Sequence, residues 1–190
     1  MSLPSQDQDT LRYPHALVVM VRIPVTGQCK TRLCPQLSAE QAAGLYRAFV
    51  RDIGRELAGW NAPVDIWIAW SGEVEQPGEL LSFFPESCRY LRQQGDSLSE
   101  RMNVVFDKMF ELGYRHVVMR NSDSPHLPLS FIDQAFAALQ HEPGSVILGP
   151  DLGGGYYLVG LDRPDAGLFP ATMSTGSVFS QTAAAAATQD

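Results

Sequence analysis

Apolar residues fall along this chain in short runs and helical stripes that take turns. Ala16–Val21 reads ALVVMV, an unbroken apolar run of strand length, the pattern of a strand buried on both faces. Val64–Trp70, Val117–Met119, Val146–Leu148 (stopped by Gly149 and Pro150) and Tyr156–Leu161 predict further strands, and Tyr90–Gln93 a shorter one. Between them the period lengthens. Ser38 with Gln41, and Ser97 with Glu100, have capping-box spacing, so a helix begins after each serine. Leu45, Phe49, Ile53 and Leu57 recur every four residues and predict the core face of the first helix, which ends near Gly59. Met102, Val105, Phe106 and Met109 mark the second, which Gly113 ends. Leu129–Leu139 predicts a third helix. Ser71–Glu86, rich in Gly, Pro and Glu, predicts a loop with one helical turn. The tail after Pro164 predicts a polar turn at Ser174–Ser177 and a small Ala-rich helix, and polar Met1–Pro14 predicts a frayed end. Strands alternating with helices predict an α/β fold whose mostly parallel sheet is covered on both faces. No repeat or linker divides residues 1–190, so one domain is expected.

The 190 residues, 45% hydrophobic and 18% charged, suffice for one globular core. Fourteen Lys and Arg against twenty-one Asp and Glu leave a net charge of −7. That balance argues against a nucleic-acid surface, which needs clustered cations. A small anionic ligand needs only a few cations placed locally. Cys29, Cys34 and Cys88 are odd in number and lack a CxxC spacing, so free buried or half-buried thiols are expected. Ala16–Val21 is too short for a signal-peptide core or a membrane span, and a soluble, cytoplasmic protein is expected.

Chemistry gathers in two loops. His116–Pro128 reads HVVMRNSDSPHLP: a buried strand, then Asn121, Ser122, Asp123 and Ser124, with Pro125 and Pro128 forbidding further strand. Asp123 is thus delivered to the carboxyl end of a central strand, the edge where open α/β sheets bind ligands. Its alternative role is to close a turn or cap the next helix. The second loop, Arg22–Pro35, reads RIPVTGQCKTRLCP and follows the first strand. Gly27 lets the backbone turn, while Arg22, Lys30 and Arg32 supply charge suited to phosphate. It is not a P-loop: Cys29 stands where that motif needs glycine, and the helix begins later, at Ser38.

Four stretches in order, PVTGQCKTRLCPQLSAEQAAGLYRAFVRD, QQGDSLSERM, SDSPHLP and GGYYLVG, resemble the bacterial nucleotide-diphospho-sugar transferase-like (DUF2064-type) proteins. These are GT-A glycosyltransferase-like and related to molybdenum-cofactor guanylyltransferase and phospholactate guanylyltransferase. The resemblance runs from about Ala16 to Thr182. It implies a three-layer, Rossmann-like GT-A fold. It implies Lys30 and Arg32 on the phosphates of a nucleotide, with Arg22, Gly27, Gln94, Gly95, Arg101 and Ser122 in the nucleotide pocket. It implies Asp123 on a divalent cation, Mg²⁺ or Mn²⁺, that bridges those phosphates. For Arg101, an exposed salt-bridging role in its helix is the competing reading.

The chain departs from the resemblance in three places. Arg22 stands where the family usually has Lys. Gly153 replaces the Asp of an Asp-Gly-Gly-Tyr-Tyr signature, with Asp151, two residues earlier, the candidate substitute. Met173 replaces a Trp. The implied activity is glycosyl transfer from a nucleoside-diphosphate sugar to an unidentified small-molecule acceptor. The alternatives are nucleotidyl transfer to a phosphorylated acceptor, of the guanylyltransferase kind, and nucleotide binding without turnover.

Overall fold

The apolar run at the first predicted strand forms β1 (His15–Arg22), whose side chains alternate between two cores. Leu17, Val19 and Val21 face one, Ala16 and Val18 the other. This computed structural model describes residues 10–173 and 175–188. After β1 come α1 (Ala39–Ala58), β2 (Asp65–Ser71), β3 (Arg89–Arg92) and α2 (Leu98–Glu111). Then follow β4 (His116–Arg120), α3 (Leu129–His141), β5 (Ile147–Pro150), β6 (Tyr156–Leu161) and α4 (Val178–Ala187). Single 3-10 turns occupy Thr31–Leu33 and Gly78–Ser82, the latter inside the expected loop.

The sheet order is β3-β2-β1-β4-β6-β5. Strands β3, β2, β1 and β4 are parallel, whereas β6 runs antiparallel to both β4 and β5. Residues from α1 and α3 fill the core on one face, those from α2 the core on the other, so the expected three-layer α/β architecture is present. The chain works outward from β1 to β2 and β3, then returns to set β4 on the other side of β1. That reversal creates a topological switch point between the carboxyl ends of β1 and β4, where open α/β sheets leave a crevice.

Both capping boxes form: Ser38 accepts from the Gln41 amide and Ser97 from that of Glu100, while each N3 side chain accepts from its N-cap amide. The buried face of α1 differs from the expected one. It is Ala42, Ala43, Tyr46, Val50, Ile53 and Leu57; Leu45 is exposed and Phe49 only half-buried. A strict four-residue step overshoots the 3.6-residue turn by about 40° each time, so a stripe true at Ile53 and Leu57 has rotated off the core by Leu45.

Other corrections are local. Thr10–Pro14, expected to fray, is anchored: the Arg12 amide donates to Asp65 Oδ2, Arg89 donates to the Thr10 carbonyl, and the Pro14 carbonyl accepts from the Arg115 amide. Gly149 and Pro150 belong to β5 rather than stopping it, as an edge strand allows. Of the three free thiols Cys29 and Cys88 are buried, but Cys34 is exposed. The expected turn at Ser174–Ser177 begins outside the described residues.

Candidate functional site

The loop after β1 is shaped by two left-handed residues. Gly27, with φ 77°, sits third in a turn closed by the Gln28 amide on the Val25 carbonyl, a position that calls for positive φ. Lys30 adopts φ 52° and ψ 32°, a conformation uncommon for a residue with a Cβ. Strain of this kind persists only where its surroundings hold it, and it concentrates at functional sites. Here the reversal sends the Lys30 side chain back over the sheet edge. Its Nζ lies 2.5 Å from Asp123 Oδ1 and 4.9 Å from the centroid of the Tyr46 ring. The Lys30 side chain is 18% exposed and that of Asp123 61%, so the ammonium is sheltered while the carboxylate still faces solvent. Asp123 caps no helix: the N-cap of α3 is Pro128.

Beneath this pair lies a buried hydroxyl relay. Tyr46, on the core face of α1, accepts from the Arg22 amide at 3.0 Å and lies 2.6 Å from Ser122 Oγ. Tyr46 thereby ties the end of β1, α1 and the turn after β4 together at the switch point. Burial pushes its phenol up to about 12, against the lowering effect of the Ser122 hydrogen bond, so it stays neutral. Ser122, expected among the nucleotide contacts, is 3% exposed and turns its hydroxyl inward to Tyr46.

The remaining expected residues are placed as follows. Arg22 and Arg32 are exposed, and neither side chain makes a hydrogen bond or ion pair among the described residues. Arg22, Lys30 and Arg47 all bear electrostatically on the Cys29 thiol, which burial nonetheless pushes up. Gln94 is exposed just beyond β3. Gly95 takes φ 123° in a site where a Cβ would come within 2.8 Å of Glu100 Cβ, and Arg101 Nε donates to the Gly95 carbonyl at 2.8 Å. Arg101 therefore braces its loop, and among the described residues no ion pair holds it. Gln93 joins this loop to the central strands by donating to the Ala69 and Val21 carbonyls. Among the described residues no hydrogen bond or ion pair joins Gln94, Gly95 or Arg101 to Asp123. Asp151 Oδ1 accepts from the Gly153 and Gly155 amides at 2.7 and 2.9 Å, so that oxygen is spent on its own turn. The turn borders the site because the Asn121 amide donates to the Tyr157 carbonyl.

The comparisons agree with this architecture. The DUF2064 family, described as uncharacterized proteins conserved in bacteria, matches residues 57–175. This chain belongs to that family. A crystal structure from Desulfovibrio desulfuricans G20, named a candidate nucleotide-diphospho-sugar transferase, is 30% identical to this DUF2064 protein. The match covers 90% of this chain and 74% of that one, with a TM-score of 0.80. A 4-diphosphocytidyl-2C-methyl-D-erythritol synthase is 11% identical over 92% of this chain and 86% of its own, with a TM-score of 0.54. A cytidylyltransferase from Leptospira borgpetersenii is 8% identical over 79% and 60%, with a TM-score of 0.51. At such identities the last two show the fold alone. No curated protein matches significantly.

Three residues of the DUF2064 site escaped the sequence reading. Tyr46 was legible as a polar-tipped side chain on the true 3.6-period face of α1. Arg120 was legible as a charge closing an apolar strand. Arg47 left no signal; its Nε pairs with Glu79, which raises its pKa, and it donates to the Pro24 carbonyl, pinning the start of the basic loop. Among the described residues no three His, Cys, Asp or Glu side chains cluster as a metal cage. One solvent-facing carboxylate fits a hard cation only if phosphate oxygens complete the shell. A cavity of about 420 Å³ lies elsewhere, at the amino edge of the sheet, lined by Trp60, Asn61, Pro63, Asp65, Pro85 and Ser87. The convergent charges are at the carboxyl edge, and the site is assigned there on chemistry rather than on cavity size.

Proposed function

We propose that this protein is a GT-A-type transferase that binds the diphosphate of a nucleoside-diphosphate sugar over the β1–β4 switch point and passes the sugar to a small-molecule acceptor. The observation that carries this is the meeting of Lys30 and Asp123 at 2.5 Å, at the point where the fold leaves its crevice. The name of the Desulfovibrio relative supports the same substrate class.

As the bond from sugar to diphosphate breaks, negative charge grows on the departing phosphate oxygens. Lys30, released from Asp123 by the arriving phosphate, places an ammonium on that charge, and Arg32 can add a two-pronged contact. Arg22 extends the positive rim. Asp123 is the residue that would hold a divalent cation, which would supply further neutralisation of the diphosphate when bound together with the nucleotide. Tyr46 and Ser122 keep that carboxylate in place.

Nucleotidyl transfer is the second reading. Three cations, Arg22, Lys30 and Arg32, share the loop after β1, and of these Lys30 alone is ion-paired among the described residues, to Asp123, an excess that suits the larger charge of a triphosphate. Thermal shift with nucleoside diphosphates, triphosphates and sugar nucleotides, with and without Mn²⁺, tests binding. A ligand at about 100 times its Kd adds about 2.7 kcal/mol of stability. Pyrophosphate release from a triphosphate supports the second reading, and release of nucleoside diphosphate from a sugar nucleotide supports the first. Stabilisation without either product marks a binding module. A folded protein that no nucleotide stabilises refutes the proposal.

A further inference from the structure

Arg120 ends β4 with its side chain fully buried. Burying a guanidinium is costly unless its donors are used. Its three preceding neighbours, Val117, Val118 and Met119, are apolar and buried. Two of its three nitrogens are spent on one object. Nε donates to the Asn121 carbonyl at 3.2 Å and one terminal nitrogen to the Ser124 carbonyl at 2.7 Å. The other terminal nitrogen faces Glu56 Oε2 at 3.9 Å without a hydrogen bond. The planar fork thus grips both ends of the turn that carries Ser122 and Asp123. A lysine offers a single nitrogen where arginine aims two nitrogens of a rigid fork at separate carbonyls. Other bonds hold the turn at single points: the Asp123 amide on Asn121 Oδ1, the Asn121 amide on Tyr157, and Ser122 on Tyr46.

We infer that Arg120 is a positioning residue: by closing the Asn121–Ser124 turn from beneath, it presents the Asp123 carboxylate to the nucleotide's diphosphate and its cation. The inference rests on the function proposed above, and its test is built so that the two can fail separately. Glu56 balances the charge of Arg120, and among the described residues no hydrogen bond or ion pair ties it to the turn.

The test compares Arg120→Lys, Arg120→Met and Glu56→Gln with wild type, each first shown to melt cooperatively. Hydrogen exchange of the backbone amides over residues 121–127 reads the turn directly. Calorimetric titration with UDP, GDP, ADP and CDP, each with Mn²⁺, and with the matching nucleosides reads binding. In Arg120→Lys, exchange over 121–127 should quicken. Affinity for the diphosphate that binds should fall about tenfold, the scale of one misplaced charge-assisted hydrogen bond. Nucleoside affinity should hold, and Glu56→Gln should match wild type on both readouts. In an Asp123→Asn background, Arg120→Lys should cost no further diphosphate affinity, because the two act in series. If Arg120→Met fails to fold, the Lys variant decides. Unchanged exchange over 121–127 in Arg120→Lys overturns the inference, as does an undiminished tenfold loss in the Asp123→Asn background. If wild type binds none of the four diphosphates, the proposed function falls, and the exchange result alone still supports or overturns the hold of Arg120 on the turn.

Discussion

Replacing Tyr46 with Phe removes one oxygen from the centre of the site and leaves everything else. The ring remains under the Lys30 ammonium, 4.9 Å from its centroid, so that contact is kept. The loss is the hydroxyl that accepts from the Arg22 amide at 3.0 Å and meets Ser122 Oγ at 2.6 Å. Ser122 is 3% exposed, so water cannot readily replace the partner. A buried polar group left unpaired costs about 1–3 kcal/mol, and two groups are affected, one of them only partly buried. We expect Tyr46→Phe to lose about 2 kcal/mol. For a domain of this size that lowers Tm by about 4–8 °C. Urea unfolding of Tyr46→Phe, Ser122→Ala and the double variant measures the coupling, expected near 1 kcal/mol because each single change already removes the shared bond. Because burial pushes the phenol up to about 12, the loss should be equal at pH 6 and pH 9. A Tyr46→Phe variant within about 0.5 kcal/mol of wild type, or strict additivity with Ser122→Ala, would refute the relay.

Arg32→Ala should weaken diphosphate binding by about 1.5–3 kcal/mol and leave nucleoside binding unchanged, because its expected partner is phosphate; equal losses in paired titrations would make Arg32 structural. Gly95→Ala should cost about 1–3 kcal/mol, since φ 123° and a 2.8 Å approach to Glu100 Cβ both oppose a side chain; a melt equal to wild type contradicts this. Gly153→Asp should fold with a small loss of stability, because positive φ belongs to Gly154 and not Gly153 but a Cβ at Gly153 meets Asp151 Oδ1 at 3.2 Å, and it should tighten Mn²⁺ binding without nucleotide; Asp123→Asn should remove that gain, and an unchanged Mn²⁺ titration in a folded Gly153→Asp variant would count against the site. His15 and His116 stack with their Nδ1 atoms 3.1 Å apart, and burial lowers both from the usual 6.5, helped at His15 by repulsion from His116 and Arg115, and at His116 opposed by Asp162 and helped by Arg115. Below 6.5 the unfolded chain takes up protons that the folded chain refuses, so stability should fall as pH drops through that value; His116→Gln should flatten the decline in Tm between pH 7 and 5.

What could be read from sequence were features that neighbouring residues decide among themselves. Ser38 with Gln41 and Ser97 with Glu100 are reciprocal hydrogen bonds three residues apart, and both formed. The apolar runs became strands to within a residue or two, since a run buried on both faces has few other places to go. Asp123 and the basic loop could each be placed at a strand's carboxyl end, because the polarity change and the prolines are local. Tertiary structure decided the rest, through contacts between distant segments. Strand pairing alone set β6 antiparallel between β4 and β5. The buried stripe of α1 rotated away from Leu45 once a sheet lay beneath it, turning Tyr46 inward to Ser122. Nothing in the residue type of Lys30 announces a left-handed backbone, yet that one dihedral pair brings its ammonium onto Asp123. Asp151 looked like a spare carboxylate until its glycine turn claimed an oxygen, and Arg120 looked like the end of a strand until the turn beyond it folded back onto both sides of its guanidinium.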